Sequence, residues 1–124
     1  MLTIASAVLA PDPQSVGSAR EVVGKVTATL PRRAREAAEL ITSELATNAV
    51  QHAGTPFQVF AAADDSGVEV VVSDQAGWTA GSTPHGHGHG LLLVGLLSTA
   101  WATELEGHGK RVWARLNVDD VPIN

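Results

Sequence analysis

The sequence predicts an α+β fold, a two-layer α/β sandwich with helices on one face of a mainly antiparallel sheet. The predicted elements follow the order β-α-α-β-β-loop-α-β-β, so helices cluster and strands pair with their sequence neighbours. Hydrophobic residues make up 44% of the 124 residues, which is enough for one core. The chain contains no internal repeat and no linker, and we therefore expect a single domain over 1–124.

The N-terminal half of the chain contains one weak strand and two helices. Residues 2–8 alternate weakly between apolar and polar side chains and are expected to form an edge strand. Residues 14–29 form the first predicted helix, because Pro13 suits a first turn and apolar residues follow at helical spacing. The second predicted helix covers 32–53 and stops at Gly54, a residue type common after helix ends.

The C-terminal half contains four strands, one short helix and a long loop. Residues 57–63 and 68–73 predict a hairpin around the turn sequence DDSG. A loop rich in Gly, Ser, Thr, Pro and His follows, and a loop of this length in a small domain is usually functional or mobile. The remaining predicted elements are this loop at 75–89, a helix at 91–100, and strands at 101–106 and 110–118.

Composition excludes several classes of function. The chain has no cysteine, which excludes disulfides, thiolate catalysis and cysteine–zinc sites. Its formal net charge of -5 argues against nucleic acid as the main partner. No apolar run approaches the roughly 18 residues of a membrane span, and the N-terminus lacks the basic region of a signal peptide. We therefore expect a cytoplasmic protein with no nucleic-acid partner and no membrane partner.

The second predicted helix carries three polar residues on the face that should meet the sheet. With about 100° per residue, Glu44, Asn48 and His52 fall at about 0°, 40° and 80°, around Ile41 at about 60°. Burying such groups costs several kcal/mol unless they find partners. Either the helix end lies at the rim of the core and the groups are solvated, or they line a pocket. In a pocket, Glu44 would act on a nucleophile, Asn48 would bind a hard cation and His52 would reach a phosphate.

The sequence TPHGHGHGLLLV permits two interpretations. In an extended segment His85, His87 and His89 point to one side, as zinc, nickel or copper ligands would. The glycines, however, lead directly into a predicted helix and expose backbone N–H groups at its positive end, which is an anion site. No Lys or Arg occurs over 36–109, so a phosphate bound there would depend on such N–H groups or on a divalent metal.

Asp74 ends the apolar strand VEVVVS and is followed by QAG. An acid at a strand end can form a turn, or it can accept a hydrogen bond from an exocyclic amine such as that of adenine. Gly77 would let the backbone approach a ring closely. Both interpretations of Asp74 remain open on this evidence.

These three regions resemble the motifs of one superfamily in the same order. SELATNAVQHA (43–53), VVVSDQAGW (70–78) and HGHGLLLVGLL (87–97) resemble the N, G1 and G2 boxes of the GHKL (histidine kinase-like) ATPases. They look most similar to the anti-sigma factor serine kinases and the small ATP-binding regulators of actinobacteria. The resemblance covers about 15–118 and implies a Bergerat fold, an α/β sandwich that binds Mg-ATP under a mobile lid.

The resemblance also implies a role for each motif. Glu44 would be the general base, Asn48 the Mg²⁺ ligand, and His52 would lie near the phosphates. Asp74 would hold the adenine amine, with Gly77 near the base. The lid would be the loop 75–87, and the phosphates would be wrapped by Gly88, His89, Gly90 and Leu91.

The resemblance implies a kinase with two protein partners. The phosphate would go to a serine of a STAS-domain anti-anti-sigma protein, the free kinase would sequester a sigma factor, and a homodimer follows from the same analogy. The chain departs from the family pattern at Ala76, the first glycine position of G1, at His89, where relatives often carry arginine, and at GKRVW, which replaces a glycine-threonine pair. An alternative is therefore a catalytically weak or inactive partner-switching module of the same fold. A third hypothesis is a metal-binding protein that uses the His-Gly loop.

Overall fold

The computed structural model describes residues 1–52, 54–74, 89–106 and 109–121. Within these residues, three α-helices pack on one face of a five-stranded antiparallel sheet, which confirms the predicted two-layer α+β sandwich. The predicted order of elements is confirmed, with bounds shifted by no more than about three residues. The elements are β1 (Thr3–Leu9), α1 (Ser15–Thr27), α2 (Arg32–His52), β2 (Phe57–Asp64), β3 (Gly67–Asp74), α3 (His89–Leu97), β4 (Ala100–Glu106) and β5 (Gly109–Asn117).

The strands follow the order β1-β2-β3-β5-β4 across the sheet, and all neighbours are antiparallel. β5 therefore lies between β3 and β4, although β4 precedes it in sequence. Alternate residues of β3, such as Val70 and Val72, are buried on the helix-bearing face, and Val112 and Ala114 of β5 are buried beside them. This alternation ties the register to the core, because a slip of one residue would turn the buried side chains outward.

The hairpin between β2 and β3 turns at the predicted position. The Asp64 carboxylate accepts hydrogen bonds from the Ser66 hydroxyl at 2.6 Å and from the Ser66 backbone N–H at 2.9 Å. These hydrogen bonds lower the pKa of Asp64 below its ordinary value of 3.8. Gly67 follows and pairs with Asn117 of β5. A Cβ at this glycine would overlap the carbonyl oxygen of Leu116, so the strands can approach here only without a side chain.

Helices α1 and α2 form most of the layer above the sheet, and α2 carries three of the candidate site residues. Ala38 and Ile41 on its inner face are almost fully buried. Thr42 is also buried, and its hydroxyl donates to the Ala38 carbonyl oxygen at 2.7 Å, so this polar group is satisfied within the helix. α2 ends at His52, and Gly54 adopts a φ of 66°, as the sequence predicts for a helix stop.

Candidate functional site

Three elements meet at one end of the sheet. β2 begins at Phe57, shortly after α2 ends, and Phe57 pairs with Asp74, the last residue of β3. The C-terminal half of α2 therefore lies at the same end as Asp74. α3 begins at this end as well, because it leads into β4, whose first residue pairs near the far end of β5. The topology thus directs the end of α2, the end of β3 and the start of α3 toward one edge of the sheet.

Glu44 and Asn48 lie one turn apart on α2 and both are half-buried. The buried residues of α2 centre on the position of Leu45, so Glu44 lies about 100° and Asn48 about 60° from the centre of the buried face. The two polar side chains therefore lie together along one border of the apolar stripe. The sequence places them inside it, and this detail is corrected. A border position keeps both groups accessible to a ligand while the stripe anchors the helix.

His52 is exposed at the last position of α2. The helical wheel places it at about 80°, close to the centre of the buried face, which the structure contradicts. Helical periodicity gives the direction of a side chain and not the length of sheet beneath it, and here the helix ends at the rim. For His52 the solvated interpretation is therefore correct, while its role near a phosphate stays a prediction.

Asp74 is the only charged residue that is less than a tenth exposed among the residues described, at 5%. It lies on the helix-bearing face of the sheet, since Val70 and Val72, four and two positions earlier, are buried there. A buried carboxylate is costly unless donors or cations face it. The Asp74 carboxyl thus lies on the helix-bearing face, and its role as an acceptor for the adenine amine stays a prediction.

Lys110 lies beside Asp74, a position that the sequence alone does not predict. In the pairing of β3 and β5, its Cα lies directly opposite that of Asp74. Lys110 is half-buried and shares the helix-bearing face with Val112 and Ala114. The sequence signal is the GKRVW segment, but its meaning depends on a register between strands that are distant in sequence.

The first turn of α3 contains three predicted phosphate contacts. His89 and Gly90 open the helix, two residues earlier than the sequence predicts, and Leu91 is 8% exposed. Val94, one turn later, is fully buried and anchors the helix in the core. The first N–H groups of a helix have no intrahelical partner and carry positive partial charge. The start of α3 therefore offers donors at the same edge as Asp74.

Several predicted residues lie outside the described part of the chain. They are Gly77, Gly88, His85, His87 and the rest of the proposed lid at 75–87. Their roles, including the metal-binding alternative for the histidine loop, stay predictions. Among the residues that are described, none of the helices is long and apolar enough to cross a membrane.

The donor set of the site suits Mg²⁺. Asn48 supplies a carboxamide oxygen, a hard ligand of the kind that Mg²⁺ prefers. Within 1–52, 54–74, 89–106 and 109–121, no three His, Asp or Glu side chains are grouped to hold a metal by themselves. The role of Asn48 as a Mg²⁺ ligand stays a prediction.

Comparison with known proteins agrees with this arrangement. The family model of the histidine kinase-like ATPase domain matches residues 9–116, which is most of the chain. The matched range includes α2, the end of β3, α3 and Lys110. No curated protein gives a significant match.

Proposed function

Since the chain belongs to the family of histidine kinase-like ATPase domains within the GHKL superfamily, we propose that it binds Mg-ATP and phosphorylates a serine of a partner protein. One observation carries the proposal: the buried carboxylate of Asp74, the Glu44–Asn48 face of α2 and the start of α3 converge at one end of the sheet. An acceptor for a base, N–H donors for phosphates and an oxygen ligand for a metal thus lie toward the same end of the sheet.

Each group has one task in nucleotide binding. Asp74 accepts a hydrogen bond from the exocyclic amine of adenine. The Asn48 carboxamide oxygen binds Mg²⁺, which when bound neutralises charge on the phosphate oxygens. The N–H groups at the start of α3 donate to the phosphates, beside His89. Because no Lys or Arg occurs over 36–109, these N–H groups and the metal supply most of the positive charge.

Glu44 acts in the transfer step. It lies one helical turn from Asn48, so it is close to the phosphate end of the site. A serine oxygen of the partner forms a bond to the γ-phosphorus, the bond from this phosphorus to the oxygen of the leaving ADP breaks, and the serine proton passes to the Glu44 carboxylate. The chemistry thus consists of positioning and charge stabilisation, with one carboxylate as general base.

The partners are proposed from the resemblance to anti-sigma factor kinases. The phosphate acceptor is a STAS-domain anti-anti-sigma protein, and the unphosphorylated acceptor and a sigma factor compete for a homodimeric kinase. The surface of α3 supports partner binding, because Leu92 and Leu96 lie one turn apart and are 62% and 75% exposed. A helix that is apolar on its outer face as well as its inner face offers a surface for a partner, here beside the phosphate end of the site.

A second candidate function is a partner-switching module that binds nucleotide weakly and transfers no phosphate. Ala76 in the G1 box and Lys110 opposite Asp74 favour it, because both alter the expected base site. The Glu44–Asn48 pair favours the kinase, because a module without transfer has no need for a general base.

Phosphate transfer distinguishes the two candidates. The chain is incubated with γ-labelled Mg-ATP and purified STAS-domain proteins, and the label on serine is measured. We expect Glu44→Gln to lower the transfer rate roughly 10²-fold or more while Mg-ATP binding is retained. Glu39→Gln is the matched control, because Glu39 is exposed on the opposite side of the same helix. A wild-type chain that binds Mg-ATP but labels no acceptor excludes the kinase and leaves the switching module.

A further inference from the structure

Asp74 and Lys110 lie at the end of the sheet that carries the proposed nucleotide site. Their Cα atoms are direct partners, and the preceding pair on the same face, Val72 and Val112, is buried under the helices. Directly opposite side chains in an antiparallel pair have Cβ atoms about 4.5–5.5 Å apart. Asp74, which is 5% exposed, therefore lies one strand gap from the half-buried Lys110 on the same face of the sheet.

Of the two described residues that pair with Lys110 across the sheet, Asp74 is the one that carries a negative charge. On its other side Lys110 pairs with Leu105 of β4, which carries no charge. The next cation along β5, Arg111, points to the opposite face, where its Nε lies 3.2 Å from the Glu104 carboxylate. Each of the two adjacent cations thus has a different acidic residue across from it.

We propose that Lys110 and Asp74 form a cross-strand ion pair, and that this pair lowers the affinity of the site for the nucleotide base. The base amine must share or displace the ammonium group to reach the carboxylate. Lys110 therefore acts as a positioning residue that sets base affinity through Asp74. The inference rests on the proposed nucleotide function and adds to it a residue that limits binding.

The direction of the change in Mg-ATP affinity distinguishes this ion pair from the effect of the overall charge of the chain. The chain has a net charge of -5, so removing a cation should weaken the binding of an anionic nucleotide. The ion pair predicts the opposite for Lys110→Gln, with Mg-ATP binding tightened about two- to fivefold, the equivalent of a cross-strand charge pair. Arg111→Gln is the matched control, because it removes the adjacent cation on the other face and should not tighten binding.

A second measurement needs no nucleotide. Urea denaturation of Lys110→Gln, Asp74→Asn and the double variant gives a double-mutant cycle. If the two groups interact, Lys110→Gln destabilises the wild-type background and has little or no effect in the Asp74→Asn background.

The nucleotide measurement is a calorimetric titration with Mg-ATP, carried out on wild type, Lys110→Gln and Arg111→Gln.

Each combination of results decides the matter. Tighter Mg-ATP binding in Lys110→Gln alone, with a non-additive cycle, supports the inference. Where wild type binds Mg-ATP, unchanged or weaker binding in Lys110→Gln, equal tightening in Arg111→Gln, or an additive cycle overturns the inference and leaves the nucleotide function intact. Failure of all three proteins to bind Mg-ATP overturns the proposed function. The double-mutant cycle then tests only whether the ion pair forms, and additive losses of stability would show that it does not.

Discussion

Gly67 allows the register between β3 and β5 to be tested without touching the candidate site. The same register pairs Gly67 with Asn117 at one end of the two strands and Asp74 with Lys110 at the other. A methyl group on Gly67 would overlap the carbonyl oxygen of Leu116 and would lie 3.0 Å from the Cα of Asn117. Both are backbone atoms, which cannot move aside as the end of a flexible side chain can.

We expect Gly67→Ala to lower the free energy of unfolding by about 1–3 kcal/mol, as over-packing generally does. For a chain of 124 residues this corresponds to a fall in Tm of roughly 3–15 °C. Gly24→Ala is the control, because a Cβ at Gly24 meets nothing within 4 Å and this residue lies in the interior of α1. Alanine there should stabilise the chain by about 1 kcal/mol.

Urea denaturation followed by tryptophan fluorescence measures both variants, and the midpoints are compared where the slopes agree. Gly67→Ala that is as stable as wild type, or that gains stability as Gly24→Ala does, would refute the register. Asp74 would then not face Lys110, because a shift of one residue turns each side chain to the other face of the sheet.

Two further predictions concern the core and the hairpin. Leu45→Ala should cost about 2–5 kcal/mol in the same denaturation, because Leu45 is 2% exposed, whereas Leu40→Ala, at a residue 43% exposed, should cost under about 1 kcal/mol. Ser66→Ala should raise the pKa of Asp64, as an NMR titration would show, because the Ser66 hydrogen bonds favour the carboxylate. Since the folded-state pKa is lowered, this stabilisation is present above pH 3.8 and is lost as the pH falls through the lowered pKa.

Local patterns predict most of the fold. Alternating apolar residues on either side of DDSG predict the β2–β3 hairpin, and the structure places the turn there because Asp64 and Ser66 satisfy each other. Gly54 predicts the end of α2 because glycine readily adopts the left-handed φ that is common after helix ends. Both features depend on interactions within a few residues, which is why the sequence alone predicts them.

Features that depend on distant partners are less predictable. The helical wheel shows that Glu44 and Asn48 share a side of α2 but not that they lie at the border of the core, and it misplaces His52 because the sheet ends before the helix does. The position of Lys110 opposite Asp74 follows from β5 lying between β3 and β4. Strand order and register come from the packing of the whole sheet, which no local pattern contains.

Calorimetric titration with ATP, with and without Mg²⁺, tests the nucleotide site most directly. Wild type should bind ATP with Mg²⁺, and Asn48→Ala should weaken this binding by at least about tenfold and remove its dependence on the metal. Gln58→Ala should bind as wild type does, because it removes a carboxamide that is exposed on the opposite face of the sheet. Absence of ATP binding in wild type, or equal Mg-ATP binding in Asn48→Ala, would contradict the account.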